Sequence, residues 1–409
     1  MASRSNANWD PSNEWKVVTL MSLGMGLVGV DRFVIVPLMP ILAKELHLGY
    51  QDLGRITGAL AIGWGLAALF TGNLADKIGF RTVIVPATVL FSMLAGAIGM
   101  AVGVGSLVAI RGAMGLAEGA FVPASIAATI DASKPNRQGF TVGIQQAMPA
   151  LLGLGLTPIA VTQLLMIMNW RWLFLLVAIP GLIVAWLCAK VLPNSSVRAL
   201  DTDSIVHDVE PHVWHHALRY RNVPLAVLSM LCWLSCNIVI ATLFPSYLVD
   251  HLGLTLQQMG VVLSALGFGG ALGSLTLPLL SDRIGRKPVM LLAVVGALTA
   301  LIALINVGPS VPVLFGLTML VHGLVFSLMV LTIGPVSAEA VPARLMSTAS
   351  GLVVGLGEVF GGAVAPSLAG FSAAHFGIGY ALYLPIGALC CGLVAVAFLK
   401  ETAPFSTDG

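Results

Sequence analysis

The sequence predicts an all-α polytopic membrane protein: twelve transmembrane helices in two pseudo-symmetric halves of six. Three observations predict it. Of the 409 residues, 57% are hydrophobic and only 9% are charged, with a mean hydropathy of +0.96. Ordinary soluble domains carry about 25% charged residues, so a soluble chain this poor in charge could not cover its surface. The 45 glycines suit membrane helices, where a missing side chain lets backbones approach closely. Third, mostly apolar runs of about 20 residues, the length of a spanning helix, recur along the whole chain. The net charge of +2 supplies no basic field for nucleic acid. The lipid bilayer is the expected partner, and nucleic acid is not.

In chain order the predicted spans are 16–42, 52–73, 82–104, 106–130, 138–166, 171–192, 223–248, 256–280, 288–306, 311–337, 346–371 and 378–399. The polar-biased start is too long for a secretory signal and lacks a small-residue cleavage pattern, so the first run is expected to stay as a span. Most connections are short. The one long polar stretch, 193–222, holds Asp201, Asp203, Asp208, Glu210, His207, His212, His215 and His216. It divides the chain into a half at 1–192, a cytoplasmic linker at 193–222 and a half at 223–409. The His212 and His216 pair has metal-ligand spacing, but such a segment is more often a surface helix, and no metal is expected. Cys188, Cys232, Cys236, Cys390 and Cys391 lie in apolar runs and are read as core residues.

Lys and Arg set the topology. With the N-terminus inside, 15 of the 20 fall on cytoplasmic segments. Lys44, Arg55 and Arg171 fall outside, and Arg32 and Arg111 lie within spans. Both termini are therefore expected in the cytoplasm. A repeat then stands out: Gly72-Asn73-Leu74-Ala75-Asp76-Lys77-Ile78-Gly79-Phe80-Arg81 between spans 2 and 3, and Ser281-Asp282-Arg283-Ile284-Gly285-Arg286-Lys287 between spans 8 and 9. Two six-helix halves in parallel repeat, each with the same turn, are the plan of a carrier that rocks about a central site. These turns and the twelve-span layout resemble the major facilitator superfamily over nearly the whole chain. The resemblance implies a cytoplasmic gate built from Asp76, Arg81, Asp282, Arg283 and Arg286, weaker on the N-terminal side, where Phe80 replaces a basic residue.

Ionisable groups at the bilayer centre cost about 2.5–3.5 kcal/mol each even on the lenient insertion scale. Asp31 and Arg32 nonetheless lie roughly 16 Å deep in the first span, at 1.5 Å per residue. Arg111 and Glu118, seven residues apart, share one face of the fourth span. Two acids and two arginines at overlapping depth are expected to pair around a wet cavity. The second half adds Asn237, His322 and Glu358 at the same level, and the fifth span adds Gln145 and Gln146. His322 fits a proton relay, a substrate donor or a hydrogen-bonded core histidine. Glu358 fits a second titrating site or a neutral, hydrogen-bonded acid. Trp64, Phe33 and Tyr383 are candidate cavity aromatics, although aromatics in spans more often face lipid or core.

The Asp31-Arg32 pair, Arg111 to Glu118, Trp170-Arg171-Trp172, Ala349-Ser350-Gly351 and Gly361-Gly362 resemble the anion:cation symporter branch of that superfamily. The resemblance implies proton-coupled symport of a small organic anion, such as a sugar acid or an aromatic or aliphatic carboxylate. It makes Asp31 and Glu118 proton sites, Arg32 the carboxylate ligand and Arg111 the partner of the acids. Glu358 departs from the branch, where a neutral residue is usual. Spinster-like lipid exporters share the Asp-Arg pair, and a proton-coupled exporter of amphipathic or cationic compounds or lysolipids is the alternative. The expected cofactor is none, with the proton as coupling ion. A monomer in a bacterial inner membrane is expected, and no nucleophile–base pair or metal motif suggests an enzyme.

Overall fold

The computed structural model describes residues 11–134, 137–192, 214–337, 339–342 and 345–402, with side chains except at 68–77, 139, 214, 215, 347 and 348. Among the described residues there is no strand. Eleven helices are long and apolar enough to cross a membrane. We label them with the additional long helix Tyr50–Ile78 in chain order: α1 Pro11–Glu45, α2 Tyr50–Ile78, α3 Phe80–Ile98, α4 Val104–Ala132, α5 Phe140–Leu164, α6 Trp170–Val191, α7 Asn222–His251, α8 Leu256–Ile284, α9 Arg286–Asn306, α10 Val311–Val336, α11 Ala349–Phe376 and α12 Ile378–Phe398. They coincide with the twelve predicted spans to within several residues. Between α6 and α7 a short helix, Trp214–Ala217, packs Ala217 with Val223, Val341 and Leu345 in a small apolar cluster.

Prolines decide where these helices depart from regularity. In α1 the helix stops at Phe33 and resumes as a 3-10 turn, Val36–Leu38, and a short helix, Met39–Glu45. Pro37 and Pro40 supply no amide hydrogen, and their rings clash with the preceding turn. Four other helices widen into π turns: Pro149–Leu156 in α5, Tyr247–His251 in α7, Thr332–Val336 in α10 and Glu358–Val364 in α11. The carbonyls four residues before Pro158, Pro335 and Pro366 belong to Leu154, Leu331 and Gly362. Each lies at or inside its π turn, where the extra residue takes up the lost hydrogen bond.

Small residues set the helix spacing. A Cβ added at Gly63 of α2 would lie 2.3 Å from the Gly112 carbonyl of α4, and one at Gly269 of α8 would lie 2.3 Å from the Met319 carbonyl of α10. The same close crossing thus recurs in each half, 206 positions apart, the offset that also separates Asp76 from Asp282. The repeated turns contain Gly79 at φ 89° and Gly285 at φ 105°, conformations that other residues adopt only with strain.

Between the halves, α2 meets α11 and α5 meets α8. A Cβ on Gly54 would fall 2.3 Å from the Pro366 carbonyl, and one on Gly267 would fall 1.9 Å from the Gly155 amide nitrogen. Polar contacts reinforce the seam. The Tyr50 hydroxyl donates to Asp250 at 3.1 Å, and the Thr242 hydroxyl bonds that of Thr57 at 3.3 Å. These contacts lie between the bundle centre and the end that carries the α1–α2 connection. Gly267→Val is therefore expected to part α5 from α8 at that end. In a background without the five native cysteines, a Thr57→Cys reporter should then label faster with a membrane-impermeant maleimide added from the α1–α2 side. Unchanged labelling in a folded variant would show that this contact does not hold the closure.

Candidate functional site

The site is organised by the interruption of α1. Where the helix stops, the carbonyls of Asp31 and Arg32 lose their helical partners. Arg111 of α4 replaces them: its Nη1 donates to the Asp31 carbonyl at 3.0 Å and its Nη2 to the Arg32 carbonyl at 2.9 Å. Arg111 was expected to pair with the acids and contact substrate. Both acids are its electrostatic partners, and it commits both Nη groups to backbone as the cap of a broken helix. The guanidinium fork suits two acceptors on adjacent residues, which a lysine ammonium cannot match.

Arg32 points the other way, toward the second half. Its Nη2 lies 3.0 Å from Glu358 Oε2 of α11. The Phe33 and Trp64 rings flank the guanidinium with centroids 5.8 and 5.9 Å from Cζ. The paired side chains are 15% and 10% exposed, so the pair is not sealed off. Room for the glutamate comes from Gly362, where a Cβ would sit 2.9 Å from Oε2. This ion pair joins residues 326 positions apart.

The two local acids make no such bond. Asp31 and Glu118 are buried, and Asp31 Oδ1 and both Glu118 carboxylate oxygens have no hydrogen-bond partner. Asp31 interacts electrostatically with Glu118 and Arg111, and Glu118 with Arg111, Arg32 and Glu358. Five ionisable groups therefore share one low-dielectric region. Three carboxylates face two guanidinium groups, so the cluster is electroneutral only when it holds one proton. A cavity of about 10 Å3 lies against Arg32, Arg111, Thr57 and Thr242, the size that holds a single water.

The other expected residues are placed further out. Gln145 is buried and donates to Ser125 Oγ at 2.9 Å, with its own Oε1 unpartnered. Ser125 is seven residues beyond Glu118 on α4, or about 10 Å along the helix. Gln146 is exposed. Asn237 donates weakly to Met329 Sδ at 3.6 Å. His322 is buried with Nε2 unpartnered and its ring 6.0 Å from that of Phe326. No hydrogen bond or ion pair joins Asn237 or His322 to the charged cluster among the described residues. Of the candidate aromatics, Phe33 and Trp64 reach Arg32, while Tyr383 is 56% exposed and lies beside Tyr380.

At the opposite end the repeated turns differ in what they hold. Arg286 bonds Asp282 and Ser281, and its Nη2 lies 3.0 Å from Glu339. The Glu401 carboxylate accepts from the Arg286 and Lys287 amides at 2.8 and 3.0 Å, capping α9. Glu339 and Glu401 carry no sequence signal beyond being acids amid a cluster of Lys and Arg. All of these contacts stay within the second half. Arg283 is exposed. Arg81 Nη1 donates to the Leu192 carbonyl at the end of α6 at 3.3 Å. The side chain of Asp76 lies outside the described residues, as do His207, His212 and the side chain of His215. Arg171, part of the Trp-Arg-Trp stretch, donates to the Gly99 and Ala101 carbonyls and so ties α6 to the end of α3.

A long-helix bundle of this kind, with a charged cluster at its centre, defines a membrane carrier. The chain belongs to the Major Facilitator Superfamily, whose sequence pattern matches residues 21–366. It is 26% identical over 357 residues to the gentisate transporter of Corynebacterium glutamicum, covering 84% of this chain and 77% of that one. To the hexuronate transporter of Bacillus subtilis it is 25% identical over 269 residues, 63% of this chain and 62% of that one; that match spans less than two thirds of the relative. The fold is similar to the crystal structure of a bacterial homolog of the human lysosomal transporter Spinster in an inward-facing, unoccupied conformation, with a TM-score of 0.75 at 16% identity over 95% of this chain and 96% of that one. The protein is an integral membrane transporter, not an enzyme.

Arg111→Lys is expected to act on the scaffold. It removes at least one charged hydrogen bond to a buried carbonyl, about 1.5–3 kcal/mol. A fall in the thermal unfolding midpoint of the purified protein measures it, and an unchanged midpoint would remove the capping role.

Proposed function

We propose that this protein carries a small organic anion, a sugar acid or an aromatic or aliphatic carboxylate, together with protons by alternating access. The observation that carries this reading is the Arg32–Glu358 pair. A carboxylate already sits on a guanidinium at the centre of the bundle, between halves that must move relative to one another. Arg32 is the seat for the substrate carboxylate, with Phe33 and Trp64 beside it. Asp31 and Glu118, buried without hydrogen-bond partners, are the proton sites, and Glu358 is the third. Relatives named for the transport of gentisate and hexuronate support the anion. Charge counting sets the coupling. A monoanion added to three carboxylates and two guanidinium groups is neutralised by two protons, one more than the empty cluster holds, so each monoanion enters with one proton.

Gln145, Gln146, Asn237 and His322 are the polar groups available to the remainder of the substrate. Asp76, Arg81, Asp282, Arg283 and Arg286 form the cytoplasmic gate. The distribution of Lys and Arg supports both termini in the cytoplasm, and the bacterial relatives support a bacterial inner membrane. On that orientation the closed end is the outer one and the structure is the inward-facing member of the cycle. The carrier works as a monomer, with the proton as its coupling ion. Glu358 favours a second reading, export of amphipathic or cationic compounds or lysolipids, because it already neutralises Arg32.

In proteoliposomes with an imposed inward proton gradient, Asp31→Asn and Glu118→Gln are expected to abolish net uptake, while exchange without net proton flux survives in at least one. Accumulation at the wild-type level in both would overturn the proton assignment. Arg32→Lys keeps the charge but loses the planar fork that grips a carboxylate. It should weaken binding of the best anion at least tenfold at saturating proton concentration, the loss of one charge-assisted hydrogen bond of about 1.5–3 kcal/mol. Normal binding by that variant, or a cation as the best ligand, would replace this reading with the exporter.

A further inference from the structure

Two acids of the same charged cluster are nearer to Arg32 in the chain than the one it pairs with. Asp31 is its neighbour, and Glu118 lies within electrostatic reach. A static network that merely neutralised Arg32 would use these, since neither requires two halves of the molecule to meet. Instead the partner is Glu358, 326 residues away on the opposite half. The contact is also only half of what the guanidinium can make. Arg32 Nη2 is its one hydrogen-bonding donor, and Nη1 and Nε make no bond. A free carboxylate takes two parallel hydrogen bonds from such a fork.

Glu358 is placed so that it can leave. It is the first residue of the π turn Glu358–Val364. A one-residue register shift that returned such a turn to α geometry would rotate this side chain by about 100°. Gly362 keeps open the space beside its carboxylate. Few other charges face it. Arg32 comes from α1 and Glu118 from α4. Ala61 and Trp64 of α2 lie beside it, Met230 and Leu234 of α7 pack against the adjoining Gly357 and Gly361, and among the described residues Arg32 is the one group that hydrogen-bonds its carboxylate.

We infer that Glu358 is a tethered stand-in for the substrate: its carboxylate holds the substrate seat on Arg32 while the carrier is empty, and a substrate carboxylate displaces it. This rests on the proposal that Arg32 binds a carboxylate. Binding is then an exchange of one carboxylate for another. The end-on Arg32–Glu358 contact breaks, a bidentate contact to substrate forms, and the released Glu358 takes a proton from the water that reaches the site. Because α1 and α11 belong to opposite halves, the same displacement releases their link at the centre. The sign of the pH effect follows. Protonating Glu358 frees Arg32, so affinity for the anion rises as pH falls.

The test is binding of glucuronate and gentisate to the purified full chain by calorimetry at pH 5.5 and pH 8. Wild type should bind more weakly at pH 8. Glu358→Gln, which removes the competing charge, should bind at least tenfold more tightly than wild type at pH 8 and lose most of the pH dependence. Glu358→Asp, whose shorter arm draws back from the 3.0 Å contact, should lie between them, and it serves if the Gln variant does not fold. Binding by the Gln variant where wild type binds neither probe would also support the stand-in. Affinity and pH dependence unchanged from wild type in both variants, with binding lost in Arg32→Gln, would overturn the stand-in and leave the seat on Arg32. Equal binding by wild type and Arg32→Gln, or none by any variant, would overturn the seat and the stand-in together.

Discussion

A hydrocarbon interior tolerates neither an unpaired charge nor an unpaired carbonyl, and the break in α1 presents it with both. Pro37 and Pro40 end the helix just beyond Asp31 and Arg32, which orphans two carbonyls at mid-bundle. Arg111 satisfies those carbonyls, and the cap fixes where the next two side chains point. Asp31 stays among the helices of its own half, while Arg32 faces the other half. The division of labour between the two arginines thus follows from one backbone defect. Arg111 is held by backbone dipoles, and Arg32 by a carboxylate of the other half.

The rest of the molecule sets how closely the two halves meet. Packing between membrane helices gains little from the hydrophobic effect, since lipid tails are as apolar as leucine, and depends on close approach instead. Backbone crossings at Gly63 and Gly269 make each half stiff. The seams at Gly54 and Gly267 bring the halves just as close at one end, but through few polar bonds. The ion pair between Arg32 and Glu358 is a charged contact that links the halves, and on the proposed function its exchange for a substrate would tie occupancy to motion.

At the other end the second half keeps its own account of charge. Asp282, Arg286, Glu339 and Glu401 satisfy one another within that half. Glu401 lies beyond α12, yet it caps α9 through the Arg286 and Lys287 amides. Glu401 therefore ties the residues just beyond α12 to the turn between α8 and α9.

Composition and apolar run length were enough for the class and for the twelve spans, because a bilayer imposes a length and a polarity that any sequence crossing it must show. The repeated turns, with a glycine at positive φ in each, were legible for the same local reason. Asp31, Arg32, Arg111 and Glu118 were also legible as ionisable groups inside apolar spans. The partners were not. Helical spacing puts Arg111 and Glu118 on one face of α4 but does not say that Arg111 will turn to carbonyls of α1, because that depends on the break two prolines make in a different helix. Phe33 and Trp64 could not be told from lipid-facing aromatics by position alone. Glu358 could be read as an oddity on α11. Only the tertiary structure, by setting the rotation of that helix through its π turn and bringing the halves together, decided that it meets Arg32.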